Sequence, residues 1–504
     1  MTLPGLAKSQ VWQDSLFVNP HSATIYGMTL LRHGLSDSAG KPYGRVGLNY
    51  NSSTGNYRRA QEAYTKNNVT FFAEGINRIN RVAISGNFTF DKSFEDSLAN
   101  SLRSDLDPLS PFYHYASKAN KFERQNYIAN VTVSYDLLPG KLMPFVNVNY
   151  RTHWTTASVD PRPEVKAFVL KYNPGLSYRT KSGSIFSVMG IFGRSDESTN
   201  ISYKNINFQE SLLFPERIQY LNFGYGYFSI QDTSRIKRHT DHIGAELTFK
   251  KKLGTWDLLS YLRTERSYVE NTHGTRSRKE YFVRAKFILN EYSGRLLFTK
   301  TGNTHDQQLD IEAQMADGYD GHSNFSADLS KVNYEVSQSS LRMAYSLIFN
   351  KQKQTKQELG ITVLYNDERR ADAAQSTELD AKQLSITALY RSYFAYGKNN
   401  MLIAKAAPFY IFPLETFIAV NPNSVNAFTR NVVYTDYYYF GSKLAGATAG
   451  LSWVSNNLLK KNILEFSADL QYTHKLNDPP VTYSPGFMPD KYRMHANIGV
   501  KLFF

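Results

Sequence analysis

The chain has 504 residues and carries 58 Lys and Arg against 44 Asp and Glu, a net charge of +14. It has no Cys, which excludes disulfide scaffolds, thiolate metal sites and cysteine nucleophiles. Its 35 Tyr and 32 Phe far outnumber its 4 Trp, and this composition favours pleated sheet over helix. Mean hydropathy is -0.44, and the absence of any run of about 20 apolar residues excludes a helical membrane protein.

The N-terminal segment contains no secretory signal, because residues 1–8 have neither a basic start nor an apolar core. We expect that a signal peptide was removed before this numbering begins. Residues 1–42 are then predicted to form a periplasmic or lumen-entering arm, and the strands are predicted to begin near Gly44.

Strands are predicted wherever apolar and polar residues alternate, since successive side chains of a strand point to opposite faces. In chain order, the apolar rows run over 127–137, 281–289, 445–453, 464–472 and 492–504. The last row is the clearest: every second residue from Tyr492 to Phe504 is apolar or aromatic, and the residues between them are mostly polar. A soluble sandwich with one wet face would show the same alternation.

The lengths of the connections distinguish the two folds. Tight turns are predicted at 77–80, 139–141, 181–183, 252–254, 290–294 and 396–398, and long polar stretches near 92–122, 196–236, 311–330, 413–440 and 476–491. Short and long connections alternate, as they do in antiparallel membrane barrels with short periplasmic turns and long outer loops. We therefore predict an all-β fold, a closed antiparallel transmembrane β-barrel of about 18 strands over residues 43–504, in which the strand at 44–48 pairs with the strand at 492–504.

In a membrane barrel, one face of each strand contacts lipid and the other faces the lumen. The apolar rows contain no Lys or Arg, which would cost about 2 to 4 kcal/mol at the bilayer midplane, so they form the predicted lipid face. A barrel of this width encloses an aqueous lumen unless loops or the arm fill it. The charged residues predicted to line this lumen are Arg284, Lys286, Glu465, Asp469, Arg493 and Lys501.

The last strand resembles that of Gram-negative outer-membrane proteins, because Tyr492, Leu502 and the terminal Phe504 lie on its apolar row. The resemblance implies that this strand is the signal read by the barrel-assembly machinery. Residues 44–90, the segment 160–163 and the aromatic-glycine run 223–227 are similar to a poorly characterised family of Bacteroidota outer-membrane barrels. That resemblance implies a companion of TonB-dependent receptors and surface lipoproteins in nutrient uptake. Strands that begin near Gly44 leave no room for the large N-terminal plug of the transporters themselves.

An aromatic cluster is the best candidate for a ligand site, and it comprises Tyr434, Tyr437, Tyr438 and Tyr439. Stacked rings could bind a ligand in an outer loop, because Tyr combines apolar area with a hydrogen-bonding group. The plainer interpretation is an interfacial girdle with loop packing.

Metal sites are weaker candidates. His239, Asp241 and His242 could suggest a metal, but on a strand His242 points away from the other two. Residues 317–321 have the oxygen ligands and glycines of a calcium loop but not the EF-hand spacing, so an exposed polar loop is the simpler interpretation. We predict no metal and no cofactor.

The expected function is a non-enzymatic barrel subunit of a nutrient-uptake assembly, together with a TonB-dependent receptor or a surface lipoprotein. A porin-like diffusion channel is the first alternative. An outer-membrane hydrolase is the second, although the sequence has no G-x-S-x-G elbow in the right context. His153, His273 and His495 could each lie near a Ser or Asn in some fold, but the sequence shows no such contact. The expected partners are outer-membrane lipids and lipopolysaccharide. Nucleic acid is not expected, because the cations form no basic stripe.

Overall fold

The computed structural model describes residues 43–504 apart from 107, 210–211, 231–234, 274–281, 324–325, 350–354, 397–399, 460–461 and 478–481. The predicted arm, residues 1–42, lies outside the described residues. The strands of the described part are β1 (Tyr43–Thr54), β2 (Thr65–Ile79), β3 (Val82–Leu98), β4 (Tyr113–Tyr115), β5 (Asn120–Tyr135), β6 (Leu142–Ala157), β7 (Arg162–Arg179), β8 (Ile185–Ser202), β9 (Tyr220–Asn222), β10 (Phe228–Ile230), β11 (Arg235–Leu253), β12 (Trp256–His273), β13 (Phe282–Thr301), β14 (His305–His322), β15 (Tyr334–Phe349), β16 (Thr355–Asp372), β17 (Thr377–Tyr396), β18 (Asn400–Val420), β19 (Leu444–Leu459), β20 (Asn462–Lys475) and β21 (Tyr492–Phe503).

Helical structure is confined to the loops. A π-helical turn, Thr429–Val433, leads into a short α-helix, α1 (Tyr434–Phe440), and 3-10 turns occur at Ile206–Phe208, Pro215–Arg217 and Pro422–Ser424. Within the described ranges, no helix has the length and apolar character needed to cross a membrane.

Eighteen of the described strands, all except β4, β9 and β10, form one antiparallel sheet in which neighbours in sequence are neighbours in space. β1 pairs with β21 from Arg45 opposite Phe503 to Thr54 opposite Met494, so the sheet closes into a barrel. This confirms the predicted all-β, closed antiparallel barrel, its strand number and its closing pair. Each of the 18 strands has a neighbour on both sides, as a sheet in hydrocarbon requires, and the loop-end part of β18, 412–420, pairs with β17 alone.

The two ends of the barrel differ in their connections. At the turn end, β2 and β3 are joined by Asn80 and Arg81 alone, and β11 and β12 by Gly254 and Thr255. Asn80 and Gly254 have φ of 56° and 60°, the left-handed conformation that two-residue hairpins need. The opposite end, which we call the loop end, carries the long loops 55–64, 99–119, 203–234, 421–443 and 476–491.

Two predicted connections are wrong. The turn expected at 290–294 lies inside β13, and the polar loop expected at 317–321 lies inside β14, where the two strands pair without interruption. Their glycines have a packing role instead. A Cβ on Gly294 would lie 2.9 Å from Leu262, and a Cβ on Gly318 would lie 2.5 Å from the ring of Phe287. Each glycine therefore makes room for a neighbouring side chain within a continuous strand.

The outer face of the barrel is an apolar band. The predicted rows on β5, β19, β20 and β21 all face outward, as the exposure of Tyr127, Leu451, Phe466 and Ile498 shows. Phe466 is stacked on its cross-strand neighbour Trp453 at 5.8 Å. Large apolar side chains that remain exposed around a closed ring form the kind of surface that acyl chains cover.

The row on β13 has the opposite orientation to the predicted one. Ala285 and Phe287 are buried inside the barrel, so alternation turns Arg284 and Lys286 outward, and the ammonium of Lys286 lies 5.5 Å from the ring of Tyr268. The reason is that this half of β13 lies next to the loop end, where the inward face packs against loops and the outward face is polar. Sequence alternation alone cannot distinguish such a segment from a lipid-facing one.

The other predicted lumen residues do face inward. Lys501 pairs with Glu465 at 2.9 Å, and Asp469 pairs with Lys405 at 3.3 Å. Arg493 donates to the hydroxyl of Ser53 at 3.1 Å.

On the outer face of β21, Tyr492 and Phe504 are exposed and Leu502 shares their side of the strand. The backbone of Phe504 exchanges hydrogen bonds with that of Gly44, which extends the closing pair to the last residue. The role of these three residues in barrel assembly stays a prediction.

Candidate functional site

The loop end of the lumen is filled by side chains from four loops. Tyr115 is fully buried there, with its ring 5.4 Å from Phe428 and its hydroxyl hydrogen-bonded to Ser117 and Asn431. Burial raises the pKa of Tyr115 to about 12. The apolar group around this ring, which we call the mouth cluster, comprises Ala60, Leu109, Tyr113, Tyr115, Tyr225, Val269, Phe287, Leu289, Tyr334, Val336, Leu379, Ala381, Phe428, Val432, Val433 and Phe440.

A small sheet joins two of these loops. β9 pairs with β4 on one side and with β10 on the other, so Asn222 is opposite both Tyr113 and Phe228. The side-chain amide of Asn222 donates to the carbonyls of Pro111 and Gly224, each at 2.8 Å. Loops 99–119 and 203–234 are therefore held together by backbone pairing as well as by apolar contact.

Ion pairs attach loop 55–64 and α1 to the barrel wall. The guanidinium of Arg59 lies 3.0 Å from Asp436 on α1 and 3.0 Å from Glu368 on β16, and Glu368 also pairs with Arg370. Burial lowers the pKa of Arg59, but Asp436 and Glu368 outweigh it and hold that pKa well above its usual range. The backbone N–H of Ala60 donates to Asp436 as well. Paired in this way, the charges can stay buried.

The conformation of the aromatic-glycine run 223–227 is set by its hydrogen bonds to one carboxylate. Asp372, the last residue of β16, accepts hydrogen bonds from the backbone N–H groups of Tyr225 and Tyr227, each at 2.8 Å. A Cβ on Gly224 would lie 2.1 Å from the same carboxylate, so only glycine fits there. The run thus folds around the carboxylate of Asp372 and places Tyr225 in the mouth cluster.

The four tyrosines predicted as a ligand site lie on α1, where their rings and hydroxyls contact other loops. Tyr434 is stacked on Tyr483 at 4.7 Å, and Tyr437 meets the same ring edge-on. The hydroxyl of Tyr438 accepts from the N–H of Tyr483. Tyr439 is stacked on Tyr57 at 4.8 Å, and the hydroxyl of Tyr57 donates to the carbonyl of Tyr439. Side chains of this chain therefore occupy the surfaces on which a ligand was expected to stack.

Beneath the mouth cluster lies a luminal chamber of about 1160 Å³. Leu106, Leu109 and Phe440 line it on the side of the loops, and inward side chains of β5–β8 and β11–β17 form its walls. On one wall Glu265 is ion-paired with Lys171 and with Arg263, the latter at 2.6 Å. The charges at this wall are thus paired with one another rather than left free to attract ions of one sign.

His242 lies at the centre of a second polar group on the same wall. Its Nε2 is 3.2 Å from the hydroxyl of Ser195, and its Nδ1 is 3.0 Å from the hydroxyl of Ser267 and 3.2 Å from Glu265. These residues come from β8, β11 and β12, and the sequence analysis did not connect them. No local signal could have done so, because the barrel register alone brings them together.

The other histidine of the cluster that could suggest a metal faces outward. His239 is bound to Asp196 at 2.8 Å and lies 3.3 Å from Asp241, on the opposite side of the wall from His242. Among the described residues, no group of three or more His, Cys, Asp or Glu could hold a metal ion. Of the histidines considered for a hydrolase, His153 contacts Asn126 and Thr155 rather than a serine.

Comparison with known proteins identifies a family and distant structural neighbours. A family of unknown function, DUF6850, matches residues 33–504, and no curated protein matches the chain. Similar solved structures include BauA, the ferric preacinetobactin receptor from Acinetobacter baumannii, at 9% identity and a TM-score of 0.37, covering 92% of this chain and 80% of its own. The siderophore receptor PiuA from Acinetobacter baumannii has 8% identity and a TM-score of 0.42, with 92% and 82% covered. The RagAB peptide importer in its closed-closed state has 7% identity and a TM-score of 0.35, with 92% and 87% covered. Scores this low carry no argument about function.

Proposed function

We propose the function of this chain from its own residues, because it belongs to a family of unknown function, DUF6850. We propose that it is an outer-membrane β-barrel with a closed outer mouth. It acts without catalysis, as a subunit of a nutrient-uptake assembly beside a TonB-dependent receptor or a surface lipoprotein.

The membrane location rests on the closed sheet and its outer face. A closed ring of 18 strands, each with a neighbour on both sides, pairs its backbone groups within the sheet, and its outer face exposes large apolar side chains. Barrels of this construction occur in the Gram-negative outer membrane, with short turns toward the periplasm and long loops outside. The loop end is therefore the outer mouth in this proposal.

The mouth cluster is the observation that carries the proposal. Barrels of about 16 to 18 strands are wide enough to leave an aqueous channel. Here Tyr115 and Phe428 are almost fully buried in the outer mouth, and the Arg59 ion pairs attach the surrounding loops to the wall. An apolar core across the mouth blocks free diffusion of polar solutes. A barrel closed in this way fits a role within an assembly better than it fits a porin.

Two measurements test this proposal. The purified barrel should be silent in planar lipid bilayers, whereas a steady open conductance would favour the porin-like alternative. Purification from native membranes in mild detergent should yield the chain together with a partner protein. Recovery of the chain alone, reproducibly and at low detergent, would count against the assembly.

A hydrolase is the second candidate, because Ser195, His242 and Glu265 are arranged like a nucleophile, a base and an orienting acid beside the chamber. The Ser195 hydroxyl would add to an ester carbonyl while its proton passes to Nε2 of His242. That proton would leave with the alcohol as the acyl-serine forms, and water would release the acid and restore the serine. A fluorophosphonate probe should then label the wild type and the Ser267→Ala variant but not Ser195→Ala. An unlabelled wild type would reject this candidate.

A further inference from the structure

Loop 203–234 exposes a group of apolar side chains to water. Ile206 is 74% exposed, Leu212 87%, Leu213 85% and Phe214 41%, and we call these four residues the apolar tip. Single exposed apolar residues are common on soluble surfaces. Several large exposed ones close together in one loop indicate a contact site.

The base of the apolar tip is well ordered. Asp160 accepts hydrogen bonds from the backbone N–H groups of Lys204 and Asn205, each at 3.0 Å. The guanidinium of Arg217 donates to the carbonyl of Asp160 at 3.1 Å. The backbone carbonyl of Arg217 accepts a hydrogen bond from the hydroxyl of Tyr203 at 2.8 Å. Both ends of the segment are thus tied to one short loop, 158–161. A surface that is ordered before binding loses less entropy when a partner arrives.

The apolar tip also has internal packing. The rings of Phe208 and Phe214 meet edge-on at 5.0 Å, and the guanidinium of Arg217 lies 4.4 Å from the ring of Phe208. Phe208 thereby supports Phe214 from below, while Leu212 remains almost fully exposed. The ring of Phe214 is therefore held in place by Phe208, which is itself covered by Arg217.

The supports of the apolar tip argue against lipid as its occupant. They lie in loops of the loop end: Asp160 in loop 158–161, and Lys118 of loop 99–119, whose N–H donates to the carbonyl of Glu216. None of these supporting residues belongs to the outward faces of the barrel strands. The tip therefore stands on the loops that surround the mouth, away from the apolar band that lipid covers.

We propose that the apolar tip inserts into an apolar pocket of a partner protein of the uptake assembly, a pocket whose rim is acidic. The rim follows from charge complementarity, since the described cations at the base of the tip, Lys204, Lys118 and Arg217, outnumber its part-exposed acid, Glu216. This inference rests on the proposed function and names the contact through which the assembly forms. The same loop continues into β9, so a partner bound to the tip is connected to the sheet in the mouth by a few residues.

The test uses the full-length chain in its native membrane. The double variant Ile206→Asp with Leu212→Asp places two charges on the tip, and both positions are exposed enough for the fold to be retained. The matched control is Val332→Asp, a charge on an exposed apolar residue of a different loop. Retention of the fold is checked by heat-modifiable migration of the barrel. In parallel, a benzoylphenylalanine crosslinker replaces Leu212 in one sample and Val332 in another.

We expect the double variant to recover at least about tenfold less of the partner that co-purifies with the wild type, as for loss of an anchoring side chain at an interface centre. Val332→Asp should recover it normally, and only the crosslinker at 212 should reach that same protein. Unchanged recovery by the double variant, or crosslinking of 212 to lipid alone, would overturn the inference while leaving the assembly intact. A wild type that recovers no partner would instead overturn the proposed function.

Discussion

Loosening the mouth cluster should convert a silent barrel into one that conducts in bursts. Phe428 is 1% exposed, and its ring lies 5.4 Å from Tyr115 and 6.0 Å from Tyr225. Phe428→Ala removes this ring from the centre of the cluster, which costs about 3 to 5 kcal/mol at a buried site. Each 1.4 kcal/mol is a factor of about ten in an equilibrium, so the open state of the mouth should gain between about a hundred and a few thousand times in population.

The assay is single-channel recording of purified protein in planar bilayers. Wild type should be silent, and Phe428→Ala should show brief openings. The control is Phe466→Ala, which removes a ring of the same size from the lipid-facing side of β20 and should stay silent. A wild type that conducts steadily would show that the mouth cluster does not close the barrel. The same conclusion would follow if Phe428→Ala stays as silent as the control although hydrogen exchange shows that its loops are loosened.

Three further changes test other parts of the structure. Asp436→Ala leaves the half-buried Arg59 paired with Glu368, so the loss should stay below the about 3 to 5 kcal/mol of a fully broken buried pair. Hydrogen exchange in loop 55–64 should accelerate while β20 and β21 keep their protection. Burial raises the pKa of Asp160, but the N–H groups at 204 and 205 and the guanidinium at 162 outweigh it and lower that pKa. The ionised Asp160 therefore stabilises the folded loop fully above the ordinary Asp pKa of about 3.9. This stabilisation is lost as the pH falls through the lowered pKa of Asp160. Acid proteolysis of loop 203–234 should rise in that range for wild type, whereas Asp160→Asn should be cleaved without such a step. Leu470 faces lipid near the middle of β20, so Leu470→Arg should lower the stability of the barrel by up to about 2 to 4 kcal/mol and reduce the amount of folded barrel in outer membranes. Gln471→Arg, on the lumen face of the same strand, should be tolerated.

The barrel itself could be predicted from local pattern because each strand presents its two faces to two different solvents. Tyr472 and Gln471 are neighbours in sequence, yet one faces outward and the other inward, and this period of two repeats through the sheet. The lengths of the connections then indicate a meander of hairpins rather than a sandwich. The lumen positions of Glu465 and Lys501 follow from the same alternation.

The pattern was ambiguous wherever a strand extends beyond the apolar band. On β13 the apolar side chains of Ala285 and Phe287 pack against loops inside the barrel, so the row that resembles a lipid face points inward. An apolar row indicates that a face is covered but not whether lipid or protein covers it. Arg284 and Lys286 were placed in the lumen for this reason.

The residues on which the two proposed functions rest lie far apart in the chain. Arg59 meets Asp436 across 377 positions, and Ser195 meets His242 across 47. Such contacts depend on which loops fold into the mouth and on the register of neighbouring strands, and neither property has a local signature in the sequence.

The amino-acid sequence by itself thus determined a closed sheet with an apolar exterior, because alternation and hairpin spacing act over a few residues at a time. Only the tertiary structure decided that four loops pack together at the loop end and that the side chains of the apolar tip are left exposed. Both depend on packing between loops, whose partners are chosen by the three-dimensional arrangement of the strands that carry them.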